Sequence, residues 1–458
     1  MSDDRAIEHS ALIVATVTSF MGPFLISAVN VALPAIQEEF SVDAVLLSWI
    51  ATSYLLAVAV FLVPVGKIAD IYGRKKIFLA GLIVYVSASF VAVLARSVQA
   101  LIFYRIFQGL GAAMFVTTGM AIVTSIFPLE RRGRAIGIYV AAVYIGLSTG
   151  PFIGGILTQQ FGWRSIFLFV LPFGLASIGL TLKHLKGEWA DARGEKFDLL
   201  GSIIYSLAII SLVYGASLLP DAWAVYLMAI GILGLFAFVW LELKVSVPVF
   251  EVRLFQNNRL FTFSSLAALI NYAATFAVTF LLSLYLQYIK NLSPQNAGII
   301  LMAQPVVMAF FSPFAGRLSD KIEPRVLAST GMGITVLGLT HFIFLGPQTS
   351  TILIIATLIM LGFGFAIFSS PNMNAIMSSV EKKYFGIASG TVATMRLLGQ
   401  MASMAVATVI FAIFIGRSEI SPHNFDMFLK SMKIIFLIFS ILCTAGIFFS
   451  LSRGQLRN

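Results

Sequence analysis

Long apolar stretches separated by short polar breaks dominate the chain from one end to the other. Each stretch has about the twenty residues that an α-helix needs to cross the ~30 Å hydrocarbon core of a bilayer. Dividing the chain at charged and turn-forming breaks predicts fourteen spans. They are residues 11–35, 45–66, 77–95, 99–127, 135–160, 165–183, 198–219, 222–243, 259–287, 296–316, 326–346, 350–379, 386–416 and 431–452. The pattern therefore predicts an all-α integral membrane protein.

The composition supports this prediction, because 59% of the residues are hydrophobic and only 11% are charged, whereas an average soluble chain has roughly 25% charged residues. The first apolar run, 11–35, is longer than the roughly 7 to 15 residues of a signal-peptide core, so we predict a retained helix. Cys443 is the only cysteine, which excludes an intrachain disulfide and argues against a cysteine-built metal site. We expect no metal and no cofactor.

The distribution of basic residues predicts an orientation. With both termini placed in the cytoplasm, most of the 30 Lys and Arg residues fall in short inner loops such as 67–76 and 131–134, as the positive-inside rule requires. The net charge of +10 then reflects topology, and we expect no nucleic-acid partner. We predict a multi-pass protein of the cell membrane, surrounded by lipid and monomeric.

Two pairs of inner loops repeat at almost the same spacing. Asp70 follows Gly66 by four residues, and Asp320 follows Gly316 by four residues, at an offset of 250 positions. The next inner loops, 130–132 and 381–383, each place two basic residues after a Glu, at an offset of 251. This is a parallel internal duplication, which in transporters places the binding site between the repeats near the membrane midplane. We predict a six-helix bundle at 1–190, two additional helices at 191–255 and a second six-helix bundle at 256–458.

Four segments carry a family resemblance. They read N-V-A-L-P at 30–34, G-K-I-A-D-I-Y-G-R-K-K at 66–76, R-I-F-Q-G-L-G-A at 105–112 and G-L-S-T-G-P-F-I-G-G at 146–155. With the fourteen spans, these segments resemble the fourteen-helix drug:proton antiporter branch of the major facilitator superfamily over essentially the whole chain. The resemblance implies a major facilitator fold and secondary transport.

The resemblance also assigns roles to two sets of residues. The loop signature acts in the family as a conformational latch, although an ordinary charged turn is the alternative for this loop. The glycines of the antiporter signature allow close helix approach, and its proline removes a backbone donor. The implied latch residues are Gly66, Asp70, Gly73, Arg74, Gly316, Asp320 and Arg325. The implied antiporter-motif residues are Gly146, Gly150, Pro151, Gly154 and Gly155.

The chain departs from the branch at the proton carrier. The branch usually has an Asp five residues before Asn30, and this chain has Leu25. All 20 acidic residues fall in predicted loops or at span ends, so none is expected at mid-depth. A buried carboxylate is the usual switchable carrier, because burial raises its pKa into the working range. Proton coupling therefore stays an open question in the sequence.

Away from the span ends, the only cations predicted within spans are Arg105 and Arg396. Each would cost about 2.5 to 3.5 kcal/mol at the centre of a membrane helix, so each should face a bundle interior. They could bind an anionic or zwitterionic group of a substrate, or they could bond helix carbonyls as structural fixtures, and both alternatives stay open. Further candidates for contact with substrate or coupling ion are Asn30, Tyr54, Gln108, Asn271, Thr275, Gln304, Asn374 and Gln400.

No nucleophile-base pair, phosphate loop or metal cluster is recognisable, so we expect neither an enzyme nor an ATP-driven pump. The leading hypothesis is a secondary active transporter that exports amphipathic organic compounds by alternating access, with protons as the candidate coupling ion. One alternative is an organic-anion or metabolite transporter, or a uniporter, that uses Arg105 and Arg396. Another is a membrane sensor that transports nothing.

Overall fold

The computed structural model describes residues 2–185, 187–319, 321–381, 385–416 and 418–454. Within these ranges the chain forms helices and no strands. Fourteen helical segments are long and apolar enough to cross a membrane. A helix bonds its backbone N–H and C=O groups within itself, which is what a hydrocarbon environment without water demands. The predicted all-α membrane fold with fourteen spans is confirmed.

The first eight spans are single helices, and the two additional helices are the last of them. Their bounds are α1 Ser2–Phe40, α2 Ala44–Tyr72, α3 Arg74–Val93, α4 Val98–Ile126, α5 Leu129–Phe161, α6 Ser165–His184, α7 Leu199–Ser217 and α8 Ala222–Glu242. A short helix, α9 Arg253–Asn257, follows. The remaining helices are α10 Arg259–Thr275, α11 Ala277–Leu284, α12 Pro294–Leu301, α13 Ala303–Ser319, α14 Pro324–Ile343, α15 Thr351–Ser378, α16 Phe385–Phe414 and α17 Phe425–Ser452.

The chain packs into two compact units. The first contains Met1–Phe40, Trp49–Leu212 and Met228–Phe250, and the second contains Ser41–Ser48, Val213–Leu227 and Glu251–Asn458. Most of α7 and α8 therefore packs with the first unit. One bond that joins them runs from the Tyr205 hydroxyl on α7 to the Ala59 carbonyl oxygen on α2, at 2.9 Å. The division of the chain into three parts stays a prediction.

The ninth and tenth spans are interrupted where the sequence predicts continuous helices. The ninth breaks at Phe276, where the N–H of Ala277 donates to the Ser403 hydroxyl of α16 at 3.0 Å. This span ends in a π-helical turn, Tyr285–Ile289. The tenth breaks at Met302. Pro305 accounts for that break, because proline lacks an N–H and its ring displaces the carbonyl four residues earlier.

The glycines of the antiporter signature bring α5 onto the backbone of α1. A Cβ on Gly146 would lie 2.5 Å from the Phe20 carbonyl oxygen, and one on Gly150 would lie 2.7 Å from that of Phe24. A Cβ on Gly154 would lie 2.6 Å from the Ala28 Cβ. Three glycines at four-residue steps thus form one face that no side chain could occupy, which is how small residues let membrane helices approach closely.

Substituting Ala for Gly150 tests this contact. The added methyl group would overlap the Phe24 carbonyl and the Ser27 side chain, so we expect a loss of about 1 to 3 kcal/mol from overpacking. The control is Gly137→Ala in the same helix, where nothing lies within 4 Å of the new Cβ. Because Ala is the better helix former by about 1 kcal/mol, the control should be neutral or stabilised. Equal thermal midpoints of the two purified variants would contradict this account.

Removing the Ser403 hydroxyl should destabilise the backbone at the break in the ninth span. Ser403→Ala leaves the Ala277 N–H without its acceptor, and an unsatisfied buried amide costs about 1 to 3 kcal/mol. Hydrogen exchange at Ala277 should then accelerate. Ser431→Ala is the matched control, since among the described residues the Ser431 hydroxyl bonds only the Met427 carbonyl of its own helix, at 2.8 Å. Unchanged exchange in Ser403→Ala would show that Ser403 does not support the break.

Candidate functional site

Arg105 lies at the centre of a buried hydrogen-bond chain in the first unit, with 1% of its surface exposed. Its Nε donates to the Ile50 carbonyl at 3.1 Å and its Nη1 to Gln108 Oε1 at 2.7 Å. The guanidinium also lies 4.3 Å from the ring centroid of Tyr54. Gln108 in turn donates to the Ser89 hydroxyl at 2.7 Å. This series of hydrogen bonds joins α2, α3 and α4. Arg105 therefore holds three helices together.

Two buried amide side chains of the second unit have polar atoms that lack hydrogen-bond partners among the described residues. Asn271 on α10 is fully buried, and neither its amide nitrogen nor its amide oxygen is bonded. The side-chain oxygen of Gln304 on α13 is also buried and unbonded. An unsatisfied buried polar group costs about 1 to 3 kcal/mol. Such groups in a native structure call for an explanation, and a ligand that bonds them is one.

Arg396 and Gln400 lie on α16 one helical turn apart, and both are half-buried. The part of the chain that the structure describes supplies neither side chain with a hydrogen-bond or ion-pair partner. The two predicted intramembrane cations therefore differ. Arg105 is bonded on both sides, whereas the charge of Arg396 meets neither a counter-charge nor a carbonyl among the described residues.

Close helix crossings bring these polar positions into one bundle. Gly399 on α16 packs against the backbone of Leu269 and the Tyr272 Cβ on α10. The Tyr272 ring meets the Phe365 ring on α15 edge-on, with centroids 5.3 Å apart. Gly362 on α15 packs in turn against the Gln304 backbone on α13. Helices α10, α13, α15 and α16 therefore present amides, aromatic rings and a cation from adjacent turns.

The other candidates take different positions. The Thr275 hydroxyl bonds the Asn271 carbonyl of its own helix at 2.8 Å, and Asn30 is buried in α1. Asn374 lies near the end of α13, where its amide nitrogen donates to the Ser319 hydroxyl at 2.9 Å. Asn374 thus belongs with the loop that follows α13. Pro151 and Gly155 are buried in α5 beside the glycine face.

The predicted latch loop of the first unit, residues 66–76, is organised around Arg74. Its Nε donates to Asp70 Oδ1 at 2.8 Å, and its Nη1 bonds Ser125 Oγ at 2.7 Å and Asp191 Oδ2 at 2.8 Å. Its backbone N–H donates to the Trp189 carbonyl at 2.8 Å. Charge-assisted bonds of this kind are roughly twice as strong as neutral ones. Arg74 therefore joins the loop to α4 and to the segment after α6.

That segment, residues 188–195, is called the strap below. The Glu188 carboxylate accepts the Lys75 N–H at 2.8 Å, and Glu195 pairs with Lys67 at 2.6 Å. Gly73 has φ +120°, and a Cβ there would overlap the Glu188 carboxylate. The strap thus covers the loop and requires glycine at position 73. A Cβ on Gly66 would lie 3.0 Å from the Thr117 side chain, so Gly66 allows α2 to approach α4.

The corresponding loop of the second unit is only partly described, and Asp320 lies outside the described residues. A Cβ on Gly316 would lie 3.8 Å from Ser370. Nearby, Arg453 is buried and its Nη1 donates to Asn372 Oδ1 at 2.6 Å and to Ser264 Oγ at 3.2 Å. Burial lowers the pKa of Arg453 to about 10, and the Arg325 charge also lowers it, against the opposing effect of Glu323. Arg453 stays protonated at neutral pH.

Comparison with known proteins identifies the family. The model of the Major Facilitator Superfamily matches residues 15–404 and 264–455. The chain belongs to the Major Facilitator Superfamily. It is 32% identical over 410 residues to the riboflavin transporter RibZ of Clostridioides difficile, covering 89% of this chain and 88% of that protein. It is 33% identical over 401 residues to the multidrug resistance protein Stp of Mycobacterium tuberculosis, covering 86% of this chain and 74% of that protein.

A solved structure supports the fold of this major facilitator protein. The peptide transporter POT in complex with sulfate superimposes with a TM-score of 0.69 at 14% identity, covering 95% of this chain and 94% of that one. The family resemblance inferred from the sequence is confirmed. Family and fold are those of membrane transporters, which are not enzymes. Roles of single residues, membrane orientation and the monomeric state stay predictions.

Sequence analysis of this major facilitator protein missed two clusters. The strap reads as a polar linker, although its acids Glu188, Asp191 and Glu195 complement the basic loop 67–76. The Arg453 cluster was missed because its members lie in three distant segments. The positions 250 residues before Ser264 and Asn372 are Val14 and Ile122, both buried. The Arg453 cluster is therefore a feature of the second half alone. A position-by-position comparison of the two repeats could have revealed it, because polar residues of the second half correspond to apolar residues of the first.

Proteolysis tests the strap of this major facilitator protein without any substrate. Arg74→Gln removes the ion pairs to Asp70 and Asp191, so the strap should open more often. We expect trypsin to cleave after Arg193 about tenfold faster, which corresponds to ~1.4 kcal/mol. Arg131→Gln is the control, since it breaks an ion pair away from the strap, between α5 and Glu8 of α1. Equal cleavage rates in both variants would contradict the proposed contact.

Proposed function

We propose that this protein is a secondary active transporter that exports amphipathic organic compounds by alternating access. The observation that carries the proposal is the buried amide of Asn271 and the buried side-chain oxygen of Gln304, which have no hydrogen-bond partner among the described residues. They lie on α10 and α13, in the same bundle as the Tyr272 and Phe365 rings. Polar groups in small number among aromatic side chains are typical of sites for drug-sized molecules. Two relatives support this proposal, since their names refer to riboflavin and to multiple drugs.

The energetics support a ligand at these amides. Asn271 can accept two and donate two hydrogen bonds, and among the described residues it makes none with its side chain. A substrate with a carbonyl or an amine would satisfy these groups and remove the penalty of about 1 to 3 kcal/mol for each. The aromatic rings would meanwhile pack against its apolar part. The site would therefore select by a few hydrogen bonds and tolerate varied apolar shapes.

A second candidate function is the transport of organic anions or metabolites. Arg396 supports it, because its half-buried guanidinium has no partner among the described residues. A fixed cation in a site of low polarity attracts a phosphate or carboxylate strongly. Arg105 supports it less, since the Ile50 carbonyl and Gln108 already occupy two of its N–H donors and hold it in place.

The proposal does not assign a proton carrier, and proton coupling is tested by experiment below. The position that usually bears an acid in the first helix is Leu25, which is fully buried in α1. A proton antiporter must still bind and release protons during its cycle, so a carrier elsewhere would be required.

The two functions can be separated with three probes in proteoliposomes: ethidium, riboflavin and riboflavin 5′-phosphate. The last two differ only by a phosphate group. For an exporter of amphipathic compounds, ethidium or riboflavin should move, and Asn271→Ala should reduce that flux at least about tenfold, the effect of one lost bond to a buried group. Arg396→Gln should then leave riboflavin flux unchanged. Ser431→Ala is the control, because the Ser431 hydroxyl donates to the Met427 carbonyl of its own helix.

The anion transporter predicts the opposite pattern. Riboflavin 5′-phosphate should then be the preferred substrate, and Arg396→Gln should abolish that preference. If an imposed pH gradient changes no flux at any pH, the antiport hypothesis is wrong. If no probe moves under any gradient, the result contradicts the transport proposal for these compounds and favours the non-transporting sensor.

A further inference from the structure

Two carboxylates meet where α7 begins and α8 ends. Asp198 directly precedes α7, and its Oδ1 caps that helix by accepting the Gly201 N–H at 2.9 Å. Glu242 is the last residue of α8, and its Oε2 accepts the Phe250 N–H at 2.8 Å. Each carboxylate thus uses one oxygen to stabilise nearby backbone. The other oxygen of each is left for a different partner.

The two remaining oxygens point into the same small space. Asp198 Oδ2 and Glu242 Oε1 are both buried, and neither has a hydrogen-bond partner among the described residues apart from the opposite carboxylate. Glu242 Oε1 lies 2.6 Å from the position that a Cβ on Gly201 would occupy, and Asp198 Oδ2 lies closer still. The missing side chain of Gly201 therefore makes room for the carboxylate pair.

No cation compensates the pair within the described part of the chain. Lys244 follows α8 closely, but its ammonium lies over the Trp240 ring, 3.6 Å from the centroid. The group that acts on Glu242 electrostatically is Asp198, which carries the same charge. Other charged residues on the surrounding segments are Glu195, Lys196, Glu251 and Arg253. Glu195 pairs with Lys67. Two adjacent ionised carboxylates without a counter-ion repel each other strongly at a buried site.

We propose that Asp198 and Glu242 bind one proton between them, as a carboxylic acid that donates a hydrogen bond to the partner carboxylate. One proton gives both unbonded oxygens a partner and removes one of the two negative charges. This proton site joins the two additional helices, and it stands independently of the transported compound.

A metal ion is the competing occupant. Ca²⁺ takes six to eight oxygen ligands and Mg²⁺ takes six, whereas this pair offers two free oxygens. The other two oxygens already accept backbone N–H groups, which a cation would repel. A single proton therefore fits the geometry better.

Infrared spectroscopy of the full-length protein in lipid nanodiscs can count the proton. At neutral pH the wild type should show the carbonyl stretch of a protonated carboxylic acid, and Glu242→Gln and Asp198→Asn should each reduce that signal by about one group per chain. Both variants keep the acceptor for the backbone N–H and supply an N–H donor in place of the shared proton, so both should fold. Asp43→Asn is the matched control, because Asp43 caps α2 through Leu46 in the same way, at 2.8 Å. It should leave the signal unchanged.

The pH dependence of stability supplies a second readout. In this proposal the shared proton removes a charge repulsion from the folded protein, so wild-type stability should fall as the pH rises and the proton is lost. Glu242→Gln should flatten that dependence, and Asp43→Asn should not. An infrared signal that neither pair variant changes would overturn the proposal. Thermal stabilisation of the wild type by Ca²⁺ or Mg²⁺ at fixed pH, absent in Glu242→Gln, would overturn it in favour of a metal site.

Discussion

Every backbone amide in the hydrocarbon core must find its hydrogen-bond partner within the protein, and the rest of this structure depends on that constraint. It makes the spans helical, and it allows a helix to break only where each freed backbone group finds another hydrogen-bond partner. At Phe276 the break is tolerated because a serine from α16 accepts the freed N–H. At Pro305 no N–H exists to be satisfied, so an interruption one turn earlier costs little. Irregular backbone therefore occurs where the second bundle supplies a partner, close to the unbonded amide of Asn271.

Close packing is the second consequence. Helices in lipid gain little from hydrophobic burial against each other, so backbone proximity has to supply the contact energy. The glycines of α5 against α1, and Gly362 and Gly399 in the second bundle, serve this purpose. In this structure the glycines of the antiporter signature form a packing surface between α5 and α1. Any role in coupling would have to act through the α1–α5 contact that it creates.

The sequence predicted the features that have a period or a spacing. Fourteen apolar runs predicted fourteen spans, and the Gly and Asp spacing of Asp70 and Asp320 predicted the repeat. Contacts between distant segments have no such signal. Arg105 and Arg396 look alike in the sequence, and only the structure shows that the Ile50 carbonyl meets the first. The strap was equally hidden, because Glu188 lies 113 residues from the Lys75 amide that it accepts.

The strap has a consequence for how freely the two additional helices can move. Its last ion-paired residue, Glu195, is separated from the cap of α7 at Asp198 by residues 196 and 197 alone. The three residue steps from Glu195 to Asp198 span about 10 to 11 Å when fully extended, so this short connection permits little movement. The bond from Tyr205 to α2 fixes the same helix at a second point. A hinge would need a longer flexible segment than residues 196 and 197 provide. The latch loop and the first of the additional helices should therefore behave as one rigid body, so that any displacement of the loop is transmitted to α7.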